Sequence, residues 1–525
     1  MKPQQAAPTV GAPIEIPALP DQQAPANADA HRFTLTSVSF DGNTVLPADE
    51  LQALAKDYVG KEITLTQVFE LAGRVTAAYR SHGYILARAI VPTQRINDGA
   101  LQIKVVEGFI DKVTVEGDAG GAKSALEAHG QRIAATKPLT ARALERELLL
   151  SQDISGLKIR SVLTPSQTTP GAADLTLLVE RKAYDAYLGV DNRGSKYLGP
   201  IEITGAAFAN DVFGTAGRLG LTAVVAPQGG PEVAFGAVSF DLPLGTDGLR
   251  LFTSLSHTRT EPGSTLKTLN NQGRSTTFEA NLSYPFIRSR DLNVIAQGGI
   301  TSRDSRSEDD FVKPLFNDHI RSANAGVFVN ALDSWGGYST LSASVTQGFD
   351  VFGASTMSDP NRSRTNADGT FHRGNLEVTH LHPLITNVNL LLGAVGQTSF
   401  GDSLLSSEQF GLGGLAYGRA YDPSEVTGDR GVAGKVELQW NAIERAAFLS
   451  NVQFYTYYEG GTAWLEKPLP GEKERESLAS AGLGVRFAAL DRATASIEVA
   501  QPLTRRVAAE GDRNARIFFS IGTSF

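Results

Sequence analysis

From Arg181-Lys182 to the last residue, apolar and polar positions alternate with a period of two. Val432, Val436, Leu438 and Trp440 interleave with Lys435, Glu437 and Gln439, and Leu483, Val485 and Phe487 interleave with Gly482, Gly484 and Arg486. At the chain end Ile517, Phe519, Ile521 and Phe525 share one face, while Arg516, Ser520, Gly522 and Ser524 share the other. A period of two is the mark of a strand with two different sides. Here one side is apolar and the other polar and glycine-rich, which is the lipid-out, water-in arrangement of a transmembrane barrel. A β-sandwich also alternates, but its polar face meets bulk water and has no reason to be built from so many small residues. Segments of this kind begin near residues 185, 199, 217, 232, 249, 276, 291, 320, 338, 370, 387, 431, 451, 478, 492 and 515. That gives sixteen antiparallel strands over 184–525, an even number as bacterial barrels require.

The pattern before residue 183 is different. Phe33–Phe40 alternates like a half-buried strand, Asp41-Gly42-Asn43 is a turn, and a helical stretch covers Ala48–Tyr58. Thr64-Leu-Thr-Gln67 has the form of a capping box. The helix it opens carries Val68, Leu71, Ala72, Val75, Ala78 and Tyr79 on one apolar face and stops at Gly83. Strands over Tyr84–Pro92 and Gly99–Val106 complete a β-α-α-β-β unit at 31–109. The order repeats over 110–183. Ile110–Glu116 is a strand, a helix carries Leu144, Leu148 and Leu149, and strands follow over Leu157–Thr164 and Ala173–Glu180. Residues 1–30 hold prolines at 3, 8, 13, 17, 20 and 25 among many Ala and Gln, a composition that buries no core and predicts a disordered tail.

Composition narrows the function classes. Glycine makes up 53 of 525 residues, and no apolar run approaches the length of a membrane helix. A net charge of −8 argues against nucleic acid as a partner. With no cysteine there is no disulfide framework and no thiolate chemistry, which suits passage through an oxidising periplasm. The chain has no charged-then-apolar leader at its start, and the reading is that one preceded this sequence and was removed. No serine elbow, phosphate-binding loop or zinc-protease motif is present, so no enzyme and no cofactor are expected. His380 and His382 share a strand face, but the sequence pattern offers no third ligand, and no metal site is expected.

One segment stands out inside the strand-patterned half. Phe410–Gly431 is too long for a hairpin turn, and its glycines imply a backbone folded tightly into a defined shape. Gly413, Gly414 and Gly418 precede Arg419, Ala420-Tyr421 follows, and Gly428-Asp429 lies near the end. This resembles the sixth extracellular loop of two-partner secretion transporters (the TpsB family), whose hallmark is a Val-Arg-Gly-Tyr/Phe tetrad after a Gly-Gly pair. Here the tetrad reads Gly418-Arg419-Ala420-Tyr421, with the arginine and the aromatic in place. It falls between the eleventh and twelfth segments, the position of a sixth outer loop at 402–431. Four further stretches resemble the family: His82–Pro92 with Val105–Gly108, Leu144–Gly156, the turn Asp191-Asn192-Arg193-Gly194, and Tyr457–Trp464.

The resemblance implies two periplasmic POTRA modules ahead of a barrel in the bacterial outer membrane. It implies that loop six folds back into the lumen and that Arg419 pairs there with Glu459, which replaces the family's aspartate. It also implies that Asp191, Asn192 and Gly194 form the first-hairpin turn. Phe519, Ile521 and the terminal Phe525 would then be the signal read by the barrel-assembly machinery. The expected partners are a secreted exoprotein with an N-terminal secretion domain and outer-membrane lipid, with the chain acting as a monomer. No plug helix is expected from the proline-rich start. A barrel-assembly factor is the alternative, although such relatives usually carry three to five modules; a diffusion porin leaves the modules unexplained.

Overall fold

The computed structural model describes residues 22–228, 230, 232–446, 449–489 and 492–525. It divides into two compact units that meet at Lys182 and Ala183.

The first unit holds two small α/β modules. In the first, β1 (Arg32–Thr34) pairs with β3 (Glu62–Thr64), and β2 (Ser37–Asp41) runs parallel to β5 (Ala100–Val106), which pairs in turn with β4 (Arg88–Ile90). Helices α1 (Ala48–Ala55) and α2 (Leu65–Ser81) cover this sheet. Thr64 caps α2 as its spacing predicts: its hydroxyl accepts from Gln67 N while the Gln67 side chain accepts from Thr64 N. The predicted face of α2 is the core, with Val68, Leu71, Val75 and Tyr79 buried.

Four expectations need correction at this end of the chain. Phe33–Phe40 is two strands, because the apolar phase slips from odd (Phe33, Leu35) to even (Val38, Phe40), and the chain breaks pairing at that slip. The strand expected over Tyr84–Pro92 is regular only at Arg88–Ile90, and α1 ends at Ala55 rather than Tyr58. Of the expected tail, residues 1–21 lie outside the described residues, while 22–30 pack on the module. Gln22 both donates to Val91 O (3.2 Å) and accepts from Val91 N (2.7 Å), and Ala28 is buried.

Behind this core, the Asp41-Gly42-Asn43 turn and the Glu107 carboxylate lock together. A Cβ at Gly42 (φ +84°) would lie 2.4 Å from Val105 O, so only glycine fits. Glu107 accepts from Thr44 N (2.7 Å), Val45 N (3.2 Å), Tyr79 Oη (2.9 Å) and the Thr44 hydroxyl. Partial burial pushes its pKa up, but these donors outweigh that and hold it below the usual carboxylate range. A depressed carboxylate stabilises the fold fully above its unfolded value, near pH 4.3, and stops doing so as pH falls through the folded value. Glu107→Ala removes these hydrogen bonds and, discounted for solvent screening at a partly exposed carboxylate, should cost the module about 1 kcal/mol at pH 7. Hydrogen exchange of its amides, corrected for intrinsic rates, should show the wild-type advantage vanishing only in acid.

The second module pairs β6 (Ile110–Gly117) parallel to β8 (Ala173–Arg181), which pairs antiparallel with β7 (Leu157–Pro165). Helices α3 (Lys123–Ala135) and α4 (Ala141–Gln152) complete it. Residue periodicity alone does not reveal α3, since Leu126 and Ile133 are its only large buried apolar residues. Its other buried positions are Gly130, where a Cβ would strike Val113, and His129, whose Nδ1 lies 2.7 Å from Glu147 Oε2.

The second unit is a closed barrel of sixteen strands. It begins with β9 (Tyr184–Asp191), β10 (Glu202–Val212), β11 (Gly217–Ala226), β12 (Val233–Pro243) and β13 (Arg250–Thr260). Next come β14 (Gln272–Arg288), β15 (Leu292–Glu308), β16 (Phe316–Leu332), β17 (Tyr338–Gly348), β18 (His372–Ile385) and β19 (Val388–Thr398). A short inner hairpin, β20 (Phe410–Leu412) with β21 (Val426–Gly428), interrupts the meander. The wall resumes with β22 (Arg430–Ala446), β23 (Leu449–Trp464), β24 (Arg475–Ala489), β25 (Ala493–Pro502) and β26 (Arg516–Ser524). All neighbours are antiparallel, and β26 closes on β9.

The sides of the wall follow the alternation. Val436, Leu438, Tyr458, Leu483 and Ile517 are exposed on the outside, while Glu437, Gln439, Glu459 and Glu498 are buried on the inside. Among the described residues, no helix is long and apolar enough to cross a membrane. His380 and His382 share a face of β18. Asp333, in the turn between β16 and β17, brings its carboxylate to them.

Candidate functional site inside the barrel

Residues 399–429 connect β19 to β22, and this loop turns inward. Its walls are β20 and β21, whose pairing runs from Phe410–Gly428 to Leu412–Val426. At its tip the backbone folds onto itself. Gly413 N donates to Tyr417 O (2.9 Å), Gly414 N to Tyr421 O (3.0 Å) and Tyr421 N to Gly418 O (2.8 Å). Gly413, Gly414 and Gly418 all have positive φ, and a Cβ at Gly413 would sit 2.1 Å from Asp422 O. These glycines therefore present Arg419 at the apex of a compact knot.

Arg419 reaches three carboxylates on three strands. Its Nε lies 3.1 Å from Glu459 Oε2 on β23, and its Nη1 lies 2.8 Å from Glu437 Oε2 on β22 and 3.5 Å from Glu498 Oε2 on β25. The guanidinium also stacks over the Tyr457 ring at 3.4 Å. Glu459 is completely buried, and its Oε1 accepts from Gly418 N (2.9 Å), Ser480 Oγ (2.9 Å) and Arg419 N. Two further guanidiniums join the cluster: Arg193 at 3.1 Å from Glu498, and Arg486 on Glu437. Three acids thus face three arginines, a balance that offsets the cost of burying charge.

The neighbouring motif residues are held as firmly. Tyr421 Oη donates to Ala479 O (3.1 Å), and Arg516 on β26 donates to Ala420 O (3.1 Å) and Asp422 Oδ1 (2.7 Å). Gly428 lies so close to β23 that a Cβ would be 2.6 Å from Trp464 O. Asp429, fully buried, gathers the outer loops. It accepts from Arg364 Nη1 (2.6 Å) in the β17–β18 loop, from Leu404 N (2.9 Å) and Gln409 Nε2 (3.3 Å) in its own loop, and from Glu466 N (2.7 Å) in the β23–β24 loop.

Asp191, Asn192 and Gly194 lie elsewhere, at the outer end of the β9–β26 seam. Asp191 Oδ1 accepts from Arg193 N (2.9 Å). Asn192 bridges to β26, donating to Ile517 O (2.9 Å) and accepting from Phe519 N (2.7 Å). A Cβ at Gly194 would lie 1.9 Å from Gly199 O. Ile521 and Phe525 are exposed on the outer face, and Phe525 N donates to Ala186 O (2.9 Å). This turn touches the Arg419 cluster only through Arg193.

Sequence reading did not single out Glu437, Glu498, Arg193 or Arg486 as partners of the loop. Glu437 and Arg486 stood on inward positions of alternating segments, which marks them as lumenal and no more. Which inward residues meet across a lumen depends on closure of the barrel.

Comparison with known proteins agrees with this architecture. Residues 33–108 match the family model "POTRA domain, ShlB-type", and residues 173–487 match "Haemolysin secretion/activation protein ShlB/FhaC/HecB". The chain is 23% identical over 493 residues to the heme/hemopexin transporter protein HuxB of Haemophilus influenzae (strain 86-028NP), covering 91% of this chain and 85% of that protein. It is 25% identical over 462 residues to the outer membrane transporter CdiB of Dickeya dadantii (strain 3937), covering 85% and 79%. Among solved structures, CdiB from Escherichia coli superposes with a TM-score of 0.74 at 21% identity, covering 98% of this chain and 94% of that one. BamA from Haemophilus ducreyi lacking POTRA domains 1-3 superposes at 0.55 with 15% identity, covering 94% and 100%. A polar-lined, closed sixteen-stranded barrel behind two POTRA modules, matched by the family model over most of its length, leaves one conclusion: the chain belongs to the haemolysin secretion/activation family of the ShlB/FhaC/HecB type, the outer-membrane transporters of two-partner secretion.

Proposed function

We propose that this transporter takes up an unfolded exoprotein through its POTRA modules and passes it through the lumen once loop six yields. The observation that carries this reading is the seating of Arg419 among Glu437, Glu459 and Glu498. Ion pairs hold the loop to the wall without building it into the wall's hydrogen-bonded ladder, so it can leave while the barrel stays closed. Both modules leave outer strands with an unpaired edge: β2 and β4 in the first, β6 and β7 in the second. An extended peptide can add to such an edge through its backbone, which suits a cargo recognised before it folds. With no nucleotide-binding motif in the chain, the drive would come from cargo folding outside or from trapping there. The terminal strand, with Phe519, Ile521 and Phe525, would serve uptake by the assembly machinery.

The likeness to BamA gives a second reading, insertion of other barrels, some weight. A comparison of secreted, surface and outer-membrane proteomes between a deletion strain and its parent separates the two. Loss of one large exoprotein with other barrels unchanged is expected; a broad fall in barrel proteins would replace transport by assembly.

A further inference from the structure

The periplasmic rim of the barrel holds a cluster that is separate from the Arg419 site. Asp333 sits in the turn between β16 and β17, and His380 and His382 lie two apart on β18. The available ligand atoms of all three lie within 4.8 Å of one another. We propose that Asp333, His380 and His382 form a binding site for a single divalent d-block cation of the Zn2+ or Cu2+ type, with coordination positions left open to solvent.

Two of the three ligands are oriented by contacts of their own. Asp333 Oδ1 accepts from Trp335 N and Gly337 N, both at 2.8 Å, which fixes the carboxylate. His380 Nδ1 lies 2.8 Å from Ser339 Oγ, and when that serine accepts from Nδ1–H the lone pair is on Nε2. Such an outer partner is the usual way a ligating imidazole is held in one tautomer. The two imidazoles stack with centroids 5.6 Å apart and planes 24° apart, close enough that rotation of the rings brings a nitrogen of each to one point.

Space at the cluster is reserved by a glycine. A Cβ at Gly337 would lie 2.5 Å from Asp333 Oδ2 and 2.8 Å from His380 Cε1. Gly337 is not among the residues with positive φ, so its backbone does not demand glycine; the clearance between the carboxylate and the imidazole does.

The surroundings also favour a cation. His380 and His382 share the alternation of Leu376, which is exposed on the membrane side, and His380 pairs across β19 with the exposed Leu392. Trp335 and Trp440 are exposed nearby along the rim, at the depth where tryptophan marks a membrane–water boundary. Two imidazoles turned outward at that boundary are costly without a partner. One carboxylate and two neutral imidazoles suit borderline-soft divalent ions rather than Ca2+ or Mg2+, which take oxygen. Bonds near 2.0–2.1 Å place tetrahedral ligands about 3.3 Å apart, so binding draws the three groups inward by side-chain rotation.

The test is a Cu2+ titration of the full chain in detergent, without an oligohistidine tag, followed by electron paramagnetic resonance. One saturating equivalent with splitting from two imidazole nitrogens, diminished by a large excess of Zn2+, is the expected result. His380→Ala/His382→Ala should weaken binding by more than about tenfold and remove that splitting, whereas Asp333→Asn should weaken it and keep the splitting. Heat-dependent migration of the barrel on a gel reports folding. If the double variant does not fold, Gly337→Ala, which blocks the approach of Asp333 to His380, gives the same weakening. Absence of a saturable equivalent, or unchanged binding in a folded double variant, overturns the site. The readout is independent of secretion, so it succeeds or fails apart from the transport reading.

Discussion

Arg419→Ala is expected to reduce secretion of the partner exoprotein severely while a folded barrel still accumulates in the outer membrane. The reason is in the charge balance of the cluster. Glu437, Glu459 and Glu498 are all buried, and they face Arg419, Arg193 and Arg486. Removing the central cation leaves one buried negative charge in excess, and breaking a buried pair on one side costs about 3–5 kcal/mol. That cost falls on loop six, because Arg419 is the only side chain of the tip that reaches all three acids. The wall keeps its ladder from β9 to β26, so insertion and heat-dependent gel migration should be those of wild type. Arg419→Lys should fall between the two. A single ammonium can serve one carboxylate well, but it cannot span Nε to Glu459 and Nη1 to Glu437 at once. Glu459→Ala should resemble Arg419→Ala, and the double variant should be no worse than either, since the two act on one contact. Normal secretion by Arg419→Ala would remove the cluster from the mechanism.

The contrast between wall and loop also explains what the sequence could and could not reveal. Each barrel strand records its own two faces in its own residues, so the sixteen strand starts read from alternation agree with the structure to within four residues. The same logic fails where burial is not apolar. Helix α3 buries His129 and Gly130 beside Leu126 and Ile133, and no period of large apolar residues marks it. Arg419 and Glu459 could be named because both sit in family-like motifs, whereas Glu498 lies in a plain strand, Ala493–Pro502, with nothing local to distinguish it. Its partners come from the turn after β9, from β23 and from loop six, elements up to 305 residues away in the chain. Asn192 shows the same limit. Its motif predicts a turn, but its side chain is spent on the seam with β26, 325 residues on, and only closure brings them together.

Asp429→Asn is expected to loosen the extracellular mouth and raise both pore conductance and entry of large antibiotics, with the Arg419 cluster left intact. Three loops converge on the Asp429 carboxylate. Its Oδ1 accepts from Arg364, Leu404 N and Gln409, and its Oδ2 accepts from Glu466 N. An asparagine keeps the shape but offers one acceptor oxygen; its amide must point an N–H either at Glu466 N–H or at the Arg364 side, a donor against a donor. Arg364 is itself buried, with its Nη1 on Asp429 and Leu404 O (3.1 Å), and it loses its buried counter-charge. The penalty is again about 3–5 kcal/mol, but here it is shared by the β17–β18 loop, the start of loop six and the β23–β24 loop. Each segment keeps separate ties to the wall, Glu408 to Arg303 (2.7 Å) and Arg373, Glu466 to Arg430 (3.0 Å), and the apolar cluster of Ile320, Ala367, Phe371, Leu404 and Leu405, so the substitution uncouples the loops from one another without freeing them from the barrel. Planar-bilayer recordings should therefore show longer and larger openings for Asp429→Asn than for wild type, and cells carrying it should become sensitive to antibiotics normally excluded by size. Arg364→Ala should give a related but weaker effect, because Asp429 would keep its backbone donors. Conductance indistinguishable from wild type in both variants would mean that the outer loops do not close the mouth, and closure would then rest on the inner hairpin β20–β21 and the Arg419 cluster beneath it.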